Sequence, residues 1–168
     1  MKRVIVIGSG AGGAVTALEL ARAGLDVQVL EEGARAPISE YGQPPTRAMR
    51  GLYRRRGMMP ILGRVPIGYV EGCCVGGSTE INSGFWHRVP HEILAHWEAR
   101  FGLEGASEAM LAPHFEWAER QLGVRLSERE WPASTQVFAR GIEAMGWSYD
   151  EVPRAAPGCR HTNACASG

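Results

Sequence analysis

A glycine-rich turn near the start of the chain has the residue types and spacing of a phosphate-binding loop. It reads Gly-Ser-Gly-Ala-Gly-Gly at positions 8–13, after the β-forming run 4–7 and before the helix-forming stretch 14–23. Gly8 allows a tight exit from the strand, Gly10 lets the backbone approach a pyrophosphate, and Gly13 lets helix and strand pack closely. The helix N-terminus presents free N–H groups to the anion. The pattern therefore predicts a dinucleotide site.

An acidic residue follows the second predicted strand. Val27 to Leu30 is β-forming, Gly24 ends the helix before it, and Glu31 comes directly after it. A carboxylate about 20 residues after the glycines can accept hydrogen bonds from an adenosine ribose, and it repels a 2′-phosphate. The cofactor is therefore expected to be FAD or NAD and not NADP.

A second glycine motif narrows the choice of cofactor. Gly76, Gly77 and Ser78 are followed by Asn82, four residues beyond the serine. Paired glycines let the backbone lie flat against a planar or phosphorylated group, and Ser78 supplies a hydroxyl. Asn82 offers a side-chain amide one helical turn further on. Taken alone, this motif fits any glycine-rich capped turn.

Together the two motifs resemble the glucose-methanol-choline (GMC) oxidoreductase family, whose signature here is Gly-Gly-Ser-Ser/Thr-x-x-Asn. The resemblance implies a flavoprotein that oxidises an alcohol CH–OH group to a carbonyl, with hydride passing to flavin N5 and electrons then passing to oxygen, a quinone or another acceptor. It implies that Gly8, Gly10 and Gly13 meet the FAD pyrophosphate and that Glu31 meets the ribose.

The same resemblance assigns the second motif and the type of cofactor linkage. Gly76, Gly77, Ser78 and Asn82 are expected along the pyrophosphate and flavin side. Family members with covalently attached flavin carry a histidine immediately before the signature asparagine, whereas this chain has Ile81. FAD is therefore expected to bind noncovalently.

The resemblance implies no catalytic residue within this chain. The family's catalytic histidine and its partner lie far downstream of the glycine motifs, and none of the five histidines of this chain matches that place. A complementary C-terminal chain or segment is accordingly a candidate partner, beside a small-molecule alcohol and an unassigned electron acceptor.

Composition limits the other classes of partner and site. Lys plus Arg and Asp plus Glu each number 18, which argues against a global attraction to nucleic acid or an anionic membrane. No apolar run is long enough to span a bilayer, and four cysteines in no secreted pattern favour cytosolic thiols, so a cytoplasmic location is expected.

His87 and His91 have the i,i+4 spacing of a zinc pair, but Pro90 lies between them and no third ligand is evident. No metal site is predicted.

The elements that position these residues predict an α/β fold. Residues 1–90 are expected to form a Rossmann-like FAD-binding βαβ unit with a parallel sheet and the second glycine motif. Residues 91–150 read as mostly helical, with a helix capped by Ser107, a restart at Pro113 and another helix capped by Ser134. Residues 151–168 read as the start of a cysteine-containing loop. The sheet and the substrate domain are expected to be incomplete in this chain.

Three further interpretations stay open at this point. Arginines clustered between positions 47 and 56 favour the solvated face of a short helix over a contact with a phosphate or an acidic partner. Cys159 and Cys165 resemble the start of a cysteine-rich turn that carries an iron–sulfur cluster in some family members, but two ligands do not complete such a site. The alternatives to the GMC function are another FAD- or NAD-dependent Rossmann oxidoreductase and a non-catalytic dinucleotide-binding fragment.

Overall fold

The computed structural model describes residues 2–37, 44–127 and 131–159. These residues form two compact units, one ending at Ser83 and the other beginning at Gly84. Residues 160–168, which include Cys165, lie outside the described residues, so the predicted cysteine-rich turn is not seen beyond Cys159.

The first unit opens with the predicted βαβ arrangement. Strand β1 (Arg3–Ile7) leads into helix α1 (Ala11–Arg22), and strand β2 (Asp26–Leu30) returns parallel to β1. The register places Arg3 opposite Asp26 and Ile7 opposite Leu30. Gly24 has φ of +81°, the left-handed conformation that ends a helix at little steric cost in glycine. The α/β prediction is confirmed, and within the described residues the parallel sheet has two strands.

The remainder of this unit carries the second glycine motif. Helix α2 (Pro45–Leu52) is followed by an antiparallel hairpin of β3 (Met59–Ile61) and β4 (Ile67–Tyr69). A short 3₁₀ turn then spans Gly77–Glu80. The chain entering that turn is held by backbone pairing, because the Cys73 N–H donates to the Leu52 carbonyl at 2.7 Å.

One arginine of the basic cluster is not solvated as expected. The Arg54 guanidinium contacts the carboxylates of Glu32 and Glu71, which lie 22 and 17 residues away in sequence. The Tyr69 hydroxyl donates to the other Glu71 oxygen at 2.5 Å. The solvated-face prediction is therefore wrong at Arg54, because its partners come from other elements and local sequence does not reveal them.

The second unit is helical. It contains α3 (His91–Phe101), α4 (Glu108–Leu122) and α5 (Ala133–Ala144), and left-handed Gly102 and Gly123 follow the first two. The predicted Ser107 cap is present, with the serine side chain accepting from the Met110 N–H at 3.4 Å.

Two helix details differ from the sequence expectation. Helix α4 continues through Pro113 instead of restarting there. Proline fits the helical φ and removes one N–H donor, and the remaining bonds of a 15-residue helix outweigh that loss. Helix α5 begins before Ser134, after Pro132, and has no side-chain cap.

A carboxylate bound by several donors holds the loops of the helical unit. Glu119 accepts two bonds from the Arg88 guanidinium, at 2.7 and 2.6 Å, and one from the Trp86 indole at 2.9 Å. The hydrogen bonds from Arg88, followed by the Trp86 bond and the Arg88 charge, lower the pKa of Glu119 to about 2. This carboxylate ties the segment before α3 to α4.

Candidate cofactor-binding site

The first glycine turn makes the strand-to-helix connection that the sequence predicts. Gly8 has φ of +91°, and its N–H donates to the Leu30 carbonyl at 2.7 Å. A methyl group added at Gly13 would lie 2.0 Å from the Gly8 carbonyl oxygen and 2.9 Å from its carbon. Because real side chains do not approach backbone that closely, only glycine lets α1 pack against the end of β1 here.

The N-terminus of α1 is open toward the same turn. Gly10 occupies the N-cap position, no side chain caps the helix, and its first turn holds no acidic residue. The first N–H groups of a helix have no intrahelical acceptor, and together with the helix dipole they favour an anion. A methyl group at Gly10 would meet only the Gly76 carbonyl oxygen, at 3.9 Å. The chain therefore leaves free space where a side chain at Gly10 would stand.

Glu31 stands at the end of β2, and its carboxylate accepts hydrogen bonds from Gly33 and Ser9. Its Oε1 accepts from the Gly33 N–H at 2.8 Å. Its Oε2 accepts from the Ser9 N–H at 2.8 Å and from the Ser9 hydroxyl at 2.7 Å. The Gly33 bond, followed by the two Ser9 bonds, lowers the pKa of Glu31 to about 2. Glu31 is thus an anion held in a fixed orientation beside the first glycine turn.

The second glycine motif meets the first one. Gly77 has φ of +60°, and a methyl group there would lie 3.3 Å from the Gly10 α-carbon. The Gly76 N–H donates to the Ser9 hydroxyl oxygen at 2.9 Å. Two motifs separated by more than 60 residues are therefore in contact at the start of α1.

Two more glycines support this meeting, and sequence reasoning gave neither of them a role. A methyl group at Gly33 would lie 2.3 Å from the Cys74 nitrogen, and one at Gly72 would lie 2.3 Å from the Gly77 carbonyl oxygen. Both positions therefore need glycine for close backbone packing. The Cys74 side chain is buried at this junction, and burial raises the pKa of its thiol. Cys74 is accordingly a neutral packing residue.

The last residues of the second motif are more exposed. The Ser78 hydroxyl accepts from the Gly72 N–H at 3.0 Å, so part of its bonding capacity serves the loop itself. Asn82 is exposed and follows the 3₁₀ turn, and Ile81 ends that turn. The structure brings Gly8, Gly10, Gly13, Glu31, Gly76 and Gly77 together around the start of α1. Ser78 lies at the neighbouring turn.

The residue that sequence reasoning missed is Ser9. It occupies a variable position between two turn glycines, and its hydroxyl contacts both Glu31 and the second motif. The sequence did contain one indication of this role, a serine between two glycines of the turn. Its short hydroxyl side chain can bind a carboxylate that another element brings to the turn. That signal is weak in sequence alone, because it needs the β1–β2 register to place Glu31 beside the turn.

The histidine pair and the cysteines do not form a metal site in the part of the chain that the structure describes. No cluster of three or more His, Cys, Asp or Glu side chains there could hold a metal ion. Helix α3 begins at His91, so His87 and His91 do not share a helix face. Cys159 is exposed. No helix of the described residues has both the length and the apolar character needed to cross a membrane.

The residues present fit a dinucleotide such as FAD. The uncapped N-terminus of α1 offers N–H donors to a pyrophosphate, and glycines on both sides remove side chains from its path. The Glu31 carboxylate, held beside the turn by donors from Ser9 and Gly33, is an acceptor of the kind that a ribose hydroxyl needs.

Comparison with known proteins agrees with this chemistry. Residues 3–168 match the family model described as GMC oxidoreductase. An uncharacterized GMC-type oxidoreductase of Sinorhizobium fredii is 36% identical over 162 residues, covering 96% of this chain and 32% of the relative. A long-chain-alcohol oxidase of Arabidopsis thaliana is 29% identical over 168 residues, covering 98% of this chain and 22% of the relative.

A solved structure shares the fold. The crystal structure of pyridoxine 4-oxidase from Mesorbium loti superposes with a TM-score of 0.68 at 14% identity, covering 99% of this chain and 41% of that one. The chain thus spans about a fifth to a third of the length of the two curated relatives described above.

Proposed function

The chain belongs to the GMC oxidoreductase family, and we propose that it forms the FAD-binding part of an enzyme that oxidises an alcohol CH–OH group to a carbonyl. The observation that carries this proposal is the meeting of the two glycine motifs at the uncapped N-terminus of α1. A long-chain-alcohol oxidase among the relatives supports the alcohol as substrate class.

The predicted site residues have different roles in this proposal. The first N–H groups of α1 donate to the FAD pyrophosphate, and Gly10 and Gly77 keep side chains out of its path. Glu31 accepts a ribose hydroxyl, and Gly13 holds α1 against β1 so that the helix points at the phosphates. Gly76, Ser78 and Asn82 line the flavin side. When bound, FAD supplies a two-electron acceptor that takes hydride from the alcohol carbon.

The type of linkage and the place of the protein are part of the same proposal. With Ile81 before Asn82, this position holds no histidine to link the flavin, so FAD binds noncovalently. The cytoplasmic location expected from the sequence stays a prediction. Acid precipitation tests the linkage: the yellow colour should stay in the supernatant, and colour that stays with the pellet would contradict noncovalent binding.

Anaerobic mixing with alcohols tests the activity. The product of the whole reading frame, loaded with FAD, should lose its flavin absorption when mixed with a primary alcohol, because the flavin becomes reduced. Alcohols of increasing chain length and the matching alkanes serve as substrates and controls. A protein that holds FAD but is bleached by no alcohol would contradict the activity and leave the cofactor site standing.

A further inference from the structure

One hydroxyl group joins the two ends of the proposed cofactor site. Ser9 Oγ donates to Glu31 Oε2 at 2.7 Å and accepts from the Gly76 N–H at 2.9 Å. The Ser9 N–H binds the same carboxylate oxygen at 2.8 Å. A single short side chain therefore contacts both the ribose-binding carboxylate and the flavin-side loop. A movement of either group strains its hydrogen bond to Ser9.

The donors from Ser9 act on one oxygen of Glu31. Both of them bind Oε2, whereas the Gly33 N–H binds Oε1 at 2.8 Å. Because the two oxygens are held from two sides of the turn, the rotation of the Glu31 carboxylate is fixed, and Ser9 holds one of its two ends.

We propose that Ser9 is a positioning residue of the FAD site: its hydroxyl fixes the Glu31 carboxylate and the Gly76 amide together, so that the carboxylate is oriented to accept a ribose hydroxyl. The inference rests on the proposed FAD function. It gives a role to a residue of the first glycine turn that is not one of its glycines.

The charged groups around Glu31 make the pH dependence of FAD binding a suitable test of the Ser9 role. Glu32 is the neighbouring acid, and its charge is balanced by Arg54. Cys74 lies nearby with a thiol pKa raised by burial, so it carries no charge below pH 7, and Glu80 faces that same thiol. The donors on Glu31 are therefore the groups that keep it ionised in weak acid, and the Ser9 hydroxyl is one of them.

The experiment measures FAD affinity between pH 2.5 and pH 8 in Ser9→Ala and in wild type, with folding checked by circular dichroism at each pH. At pH 7 the loss of a hydrogen bond to a charged group should weaken binding about tenfold. Below pH 4 the variant should lose further affinity, because Glu31 without this donor takes up a proton at a higher pH than in wild type, while the Gly33 and Ser9 N–H bonds still hold its pKa below 4.5. The wild-type affinity should stay flat to lower pH, since the Glu31 pKa is about 2.

Thr79→Val is the matched control. The Thr79 hydroxyl donates to the carbonyl oxygen of the same Gly76 at 2.6 Å, and no hydrogen bond joins it to Glu31 in the structure. This change loosens the same loop and should leave the pH dependence as in wild type. Ser9→Thr keeps the hydroxyl and should restore the flat profile.

Three results would overturn the proposal. They are an unchanged affinity in Ser9→Ala, a pH profile parallel to wild type, and an identical pH shift in Thr79→Val. If Ser9→Ala does not fold, Ser9→Cys keeps the side-chain size with a weak donor and should shift the profile in the same direction. A wild-type protein that binds no FAD would contradict the proposed function itself and is thereby distinguished from a failure of the Ser9 role.

Discussion

Replacing Gly13 by alanine tests the packing that aims α1 at the cofactor. The new methyl group would lie 2.0 Å from the Gly8 carbonyl oxygen, whereas side chains do not approach backbone closer than 3.0 Å. Helix α1 must therefore move about 1 Å away from the end of β1. Overpacking costs about 1–3 kcal/mol, and contact with rigid backbone places this case at the upper end, about 3 kcal/mol.

Gly12→Ala is the control at the neighbouring position. A methyl group there meets no atom within 4 Å, so the change keeps only the benefit of alanine in a helix, about 0.5–1 kcal/mol. Because both substitutions share this benefit, the difference between the two variants isolates the overpacking term. That difference should be about 3 kcal/mol in favour of Gly12→Ala.

Urea unfolding of the FAD-free proteins measures this difference. With an m-value of about 2 kcal/mol per molar urea, the two midpoints should differ by about 1.5 M. Absence of FAD removes any effect of the new methyl groups on the ligand. Equal midpoints for the two variants would refute the close packing of α1 on the end of β1.

Three further outcomes follow from other contacts. Gly33→Ala should lower the melting temperature, because its methyl group would overlap the backbone at Cys74. Gly141→Ala in α5 is the control, because a methyl group there has no atom within 4 Å and should not lower the melting temperature. Equal melting temperatures for the two variants would argue against close packing at Gly33. The pKa of Glu119, lowered mainly by Arg88, means that this carboxylate stabilises the fold above pH 4.5 and loses that effect as the pH falls toward 2. Arg88→Gln should therefore reduce the loss of stability between pH 4.5 and 2, and an unchanged acid profile would count against the ion pair. Asn82→Ala should slow flavin reduction by alcohol in stopped flow more than it lowers FAD content, and an unchanged rate would leave Asn82 a structural residue.

Local features of the sequence were enough to predict the βαβ unit. The glycine spacing, the β-forming runs and Gly24 all act within a few residues of one another, so the strand, turn and helix follow from nearby residues. The Ser107 cap is a local signal of the same kind.

Contacts between distant residues were not predictable in this way. The approach of Gly77 to Gly10 joins positions more than 60 residues apart, and no local pattern encodes it. Arg54 looked solvated because its partners, Glu32 and Glu71, come from other elements. Ser9 was overlooked for the same reason, since its role depends on the register that brings Glu31 beside the turn.

FAD titration of Gly10→Ala against wild type tests the central claim most directly. Gly10 has φ of −66°, and a methyl group there would lie 3.9 Å from the nearest atom, the Gly76 carbonyl oxygen, so alanine fits the protein without strain. The account predicts that the variant folds, with a stability lower by about 1 kcal/mol because alanine is a poorer N-cap residue than glycine, and that it binds FAD at least about tenfold more weakly, because the methyl group occupies the space of the pyrophosphate. Equal FAD affinity in the two folded proteins would contradict the assignment of this turn as the cofactor site.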